Sequence, residues 1–135
     1  MIAEFLIGFF ISLLVALIMI GIGISQLKSK TPAAFYTGEK PFSPNELSDV
    51  NAWNRKHGRM WIIYGIVILF SYILAAFIGL GTPMGLIVYH SGIVLPIVVM
   101  IGYHNKLTKT CRLPKERQSQ QNTAAPKHTK ETEKS

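Results

Sequence analysis

The chain has 135 residues, 49% of them apolar, and carries 14 Lys and Arg against 7 Asp and Glu, a formal net charge of +7. The apolar residues gather into three long runs instead of spreading as the core of a water-soluble domain does, which excludes an ordinary soluble fold. All the basic residues fall within 28–59 and 106–134 with no groove-reading motif beside them, so the charge reads as membrane topology and no nucleic-acid partner is expected.

The first run, Ile2 to Ile24, is long enough at roughly 1.5 Å per helical residue to cross a hydrocarbon layer of about 30 Å. Residues 1–24 are therefore expected to form transmembrane helix 1, with Glu4 its only charged residue. A cleaved signal peptide fits poorly, because a basic start and a small-residue cleavage site are both missing. Gly8, Ser12 and Ala16 recur every four residues on one face, the spacing that lets helix backbones approach closely, although it also arises by chance in such helices.

Residues 25–59 form the first polar segment, with six basic and three acidic residues. Pro32, Phe35, Tyr36, Gly38 and Pro41 suggest an extended, turn-rich stretch with aromatic anchors. Ser43-Pro44-Asn45-Glu46 has the form of a capping box, with Ser at the N-cap, Pro at the first helical position and Glu at the third. A short amphipathic interfacial helix is expected near 44–57, its Leu47, Val50, Trp53, His57 and Trp61 side turned to the bilayer and Asp49, Lys56 and Arg59 opposite. Trp53 and Trp61 would then be interface anchors at headgroup depth, and Gly58 the bend into the next span.

Residues 60–81 and 82–104 are expected as transmembrane helices 2 and 3. Ser71, Ala75 and Gly79 form a second small-residue face. Gly79-Leu80-Gly81-Thr82-Pro83 combines a helix-ending glycine, an N-cap threonine and a first-turn proline, so the two spans form a tight antiparallel hairpin. Pro96 should kink the third span. Residues 105–135, rich in Lys, Gln, Thr and Ser, read as a disordered basic tail. The fold class is thus an all-α membrane protein of three spans. The positive-inside rule places the 25–59 loop and the C-terminus in the cytoplasm of a cell membrane, with the N-terminus outside, and anionic inner-leaflet lipids are attracted to the loop and tail.

The series Lys30-x-Pro32-x-x-Phe35-Tyr36-Thr37-Gly38, followed by Asp49-Val50-x-x-Trp53-Asn54-x-x-His57-Gly58 and an aromatic-led second span, resembles a family of small three-span membrane proteins of Gram-positive bacteria known only as a domain of unknown function. The resemblance covers residues 1 to about 104 and implies an architecture and a location but no activity. A weaker similarity, carried by Trp53 and His57, is to the sporulation-delaying toxin immunity family. Its members have more spans, and its Asn-Arg-Gly-type segment is missing here.

Ionisable groups within a membrane are the natural places to look for mechanism. Glu4 and His90, both near the outer end, make a candidate intramembrane polar site. The candidate partner-binding loop comprises Tyr36, Gly38, Asp49, Trp53, Asn54 and His57. His57, His90, His104, His128 and the single Cys111 are scattered, without metal-ligand spacing, and no nucleophile elbow or phosphate-cradling loop is present, so no enzyme, metal or cofactor is expected. The sequence therefore reads as a non-enzymatic interaction, signalling or immunity-like accessory protein that meets a membrane protein partner through its loop and helix faces. The alternative is a transporter or channel subunit working as a homo-oligomer, since three spans are too few to enclose a pathway alone.

Overall fold

The computed structural model describes residues 2–35 and 39–124, for 121–124 the backbone only. The protein is all-α: α1 (Ile2–Lys28), a single 3-10 turn (Pro44–Glu46), α2 (Val50–Ile78), α3 (Pro83–Cys111) and α4 (Lys115–Ala124). The first three α-helices are long and apolar enough to cross a membrane, making this a three-span, multi-pass membrane protein. α2 is central, with contacts to both α1 and α3.

Small side chains bring the helices together. On α1 the buried residues are Ser12, Ala16 and Gly23, and the Gly8–Ser12–Ala16 stripe faces α2. Gly23 and Gly58 meet so closely that a Cβ on either would lie 2.6 Å from the other's carbonyl oxygen. On the other side of α2, Ser71 occupies the space a side chain at Gly92 would need, and the backbone at Gly79 and Ala75 abuts Gly85. In a membrane such closeness supplies the dispersion contact that holds helices together, since lipid is as apolar as they are.

The α2–α3 turn follows its sequence signals. Gly79 caps α2 with φ of 110°, a backbone region that favours glycine, while the Thr82 hydroxyl oxygen accepts from Gly85 N–H and Pro83 opens α3. Pro96 lies inside α3 without ending it.

Three expectations are corrected. The first is the interfacial helix near 44–57. Glu46 does reach back to accept from Ser43 N–H at 2.9 Å, but the resulting helix is one 3-10 turn that stops at Leu47. Ser48 N–H donates instead to Cys111 O, and Leu113 N–H to Glu46 O, pulling 46–48 against the end of α3. A second cap then starts α2: Asp49, expected inside the helix, accepts from Ala52 N–H at 3.0 Å. From Val50 the helix runs unbroken through Gly58, which serves the approach of Gly23.

The second concerns 105–135. α3 continues to Cys111 because Leu107 and Cys111, one turn apart, are buried against Leu47 and Trp53. α4 follows Pro114 and packs on the 3-10 turn. The rest of the expected tail, 125–135, lies outside the described residues.

The third is the Glu4–His90 site. Both residues are exposed, and His90 Nδ1–H donates to Leu86 O one turn back. Gly85 and Gly92 fix which face of α3 meets α2, and Tyr89 falls near that face while His90 is about 100° round. Toward this end of the spans, Ser12, Tyr72 and Tyr89 form a polar link. Tyr72 donates to Phe5 O at 2.8 Å, Tyr89 and Ser12 hydroxyls are 3.4 Å apart, and the two tyrosine rings meet edge-on.

Candidate functional site

Trp53, Asn54 and His57 lie in the first two turns of α2, and all three are buried. The arc expected to face the bilayer therefore faces protein. The chain leaving α1 crosses these turns, and Asn54 holds it. Its amide nitrogen donates to Ser29 O at 2.9 Å and Thr31 O at 2.8 Å, while its Oδ1 accepts from Ala33 N–H at 2.8 Å. Trp53 Nε1–H donates to Ala33 O at 3.0 Å, so this indole is an internal strut and not a headgroup anchor. Its ring packs with Leu47, Leu107 and Cys111, and Phe42 meets it edge-on.

Beneath this strap lies a line of titratable groups. His57 Nδ1 is 3.0 Å from Trp53 O, which can only accept, so that nitrogen carries the hydrogen. His57 Nε2 lies 3.0 Å from His104 Nδ1 on α3, and with neutral His57 the His104 ring is the donor. His104 Nε2 faces Glu39 Oε1 at 3.2 Å. The other carboxyl oxygen of Glu39 accepts from Phe35 N–H at 2.5 Å.

Aromatic rings enclose the line. Phe35 stacks on His104 with centroids 4.5 Å apart and planes at 14°, and Trp53 lies 4.2 Å from the His57 ring. Below Phe35 and His104, toward the membrane interior, is a cavity of about 570 Å³ between the three spans, walled by Met19, Trp61, Tyr64, Ile97, Met100 and Ile101, with Asn105 at its edge. Among the described residues no group of three or more His, Cys, Asp or Glu side chains could hold a metal ion. Chemically, the arrangement can clamp the loop to two spans and hold or pass a proton between Glu39 and His57.

The chain matches no protein-family model, no curated protein and no solved structure.

Of the residues singled out from the sequence, the structure brings Trp53, Asn54 and His57 together. Asp49 stands at the edge as an exposed helix cap. Tyr36 and Gly38 lie outside the described residues. Trp61 lines the cavity and packs with Phe35 and Tyr64 rather than standing apart as an anchor. Sequence reasoning took Phe35 only as an aromatic anchor and missed Glu39 and the partnership of His104. One signal was available: around the tight turn at Gly81, His57 lies 24 residues before and His104 23 residues after, so an antiparallel hairpin must bring them level.

Proposed function

We propose that this protein is a non-enzymatic accessory factor of the cell membrane, of an interaction, signalling or immunity-like kind, whose working part is the strapped end formed by residues 29–57 and the end of α3. One observation carries the reading: the strap is clamped to two spans through Asn54 and the His57–His104–Glu39 line, giving a preformed surface where a loose linker would give none. The partner-facing side is then the outer side of α2's first turns, where Asp49, Asn51 and Arg55 are exposed. Trp53 supports that surface from within.

Positive charge beside the spans supports a cytoplasmic location for this end, with the N-terminus outside.

The test is a photo-crosslinking amino acid at Asn51 or Arg55 in cells, with Val99 on the exposed side of α3 as comparison. A discrete protein adduct from 51 or 55 that disappears in Asn54→Ala at equal expression is the expected result. Adducts only among copies of this chain, with a symmetric oligomer by native mass measurement, would overturn it in favour of a transport subunit.

A further inference from the structure

The cavity beneath the strap is almost wholly apolar, and its polar edge lies at His104 and Asn105. It has the volume of a small-molecule site, about 300–1,000 Å³. Along α3, Ile97, Ile101 and Asn105 recur every four residues down its side, and the next residue in the series is Lys109, about 6 Å beyond Asn105 on the same helix face. Lys109 opens a second hollow of about 390 Å³, which Arg112 and Lys115 also line and no acidic side chain does. Arg112 is engaged over the Phe42 ring at 5.3 Å, leaving the two lysines as its most available charges. An apolar cavity and a basic hollow thus follow one another on one side of one helix, where the apolar span gives way to the basic segment.

We propose that this pair of hollows is a binding site for one anionic phospholipid, its acyl chain in the cavity and its phosphate on Lys109 and Lys115. The chain fills the space bounded by Met19, Tyr64, Ile97 and Ile101. The ester carbonyls come to the level of Trp61, whose indole N–H is buried without an acceptor. Such an N–H costs free energy until an acceptor reaches it. The phosphate extends from there toward the lysines, where a zwitterionic lipid gains less because its own cation competes. This goes beyond diffuse attraction to anionic lipid: it assigns a stoichiometry of one, a position and a chain-binding pocket.

The experiment uses the full chain, purified in mild detergent and stripped of lipid, titrated with phosphatidylglycerol and with phosphatidylcholine of identical chains and read by native mass spectrometry. The expected result is a single lipid adduct favouring phosphatidylglycerol, with about a fivefold contribution from each lysine. In the variant Lys109→Gln with Lys115→Gln, phosphatidylglycerol falls to the level of phosphatidylcholine, whose binding is unchanged. Ile101→Trp, which fills the cavity, lowers both at least tenfold, and Ile97→Trp does the same should Ile101→Trp not fold. Val99→Trp, at a site 68% exposed on the far side of α3, changes neither. Equal adducts for the two lipids in the native protein, or undiminished binding in the folded cavity-filling variants, would overturn the proposal.

Discussion

Replacing Asn54 with alanine removes three hydrogen bonds at once: two from its amide to Ser29 O and Thr31 O, and one from Ala33 N–H to its Oδ1. Each backbone group left without a partner costs about 1–3 kcal/mol where water is excluded. The low end applies here, because Thr31 is exposed and Ser29 and Ala33 are only half-buried, so water can reach part of the strap once it lifts. Three groups at about 1 kcal/mol each make strap closure weaker by about 3 kcal/mol, which raises the open population roughly a hundredfold. The helices are not expected to unfold, since the α1–α2 seam from Gly8 to Gly23 does not use Asn54. The assay is amide hydrogen exchange of residues 29–35 in nanodiscs, together with tryptic cleavage after Lys28 and Lys30. Exchange at 29–35 should accelerate by about two orders of magnitude, while the middle of α2 stays protected. Asn54→Asp should behave similarly, because a carboxylate retains the acceptor for Ala33 but cannot donate to either carbonyl. Exchange in Asn54→Ala within threefold of the native protein would refute the claim that this amide holds the strap.

Three further outcomes follow from the same geometry. Gly58→Ala should lower stability by about 1–3 kcal/mol through forced separation from Gly23, whereas Gly21→Ala, with nothing within 4 Å of the new methyl, should leave thermal unfolding in detergent unchanged. Trp53→Ala should open the packing around Cys111, which is 6% exposed, and speed maleimide labelling of this single thiol at least tenfold; Trp53→Phe, losing mainly the bond to Ala33, should have a smaller effect. Glu39→Gln removes the carboxylate that faces His104, weakening strap closure by about 1.5–3 kcal/mol, measured by the same exchange experiment.

What the sequence conveyed, and what it did not, divides along physical lines. The spans, the tight turn and the small-residue faces are local or periodic features, so the 3.6-residue repeat and the turn chemistry of Gly79–Pro83 were sufficient to expect them. Of the expected arc of Leu47, Val50, Trp53, His57 and Trp61, the last four do share α2 while Leu47 lies before it, and the arc's counterpart was not legible. An amphipathic arc states which side is apolar and leaves open whether lipid or protein covers it. Here the 29–35 strap and the end of α3 cover it. The cap at Ser43 and the cap at Asp49 compete for the same helix start, and tertiary bonds from Cys111 and Leu113 decide for Asp49. Glu39 and His104 carry no local signature at all, because their roles depend on positions 65 residues apart in the chain. The Gly85 and Gly92 contacts, which turn Tyr89 inward and His90 outward, likewise exist only once two helices are packed.

The central claim is that a buried His57–His104–Glu39 line clamps the strap onto two spans. Its most direct test is magic-angle-spinning NMR of the protein in lipid with ring-nitrogen-labelled histidine. At a separation of 3.0 Å, His57 Nε2 and His104 Nδ1 should give a through-space nitrogen–nitrogen cross-peak, lost in His104→Ala and still present in His90→Ala. Four separate imidazole signals, with no cross-peak between rings and rapid solvent exchange at His57, would contradict the account.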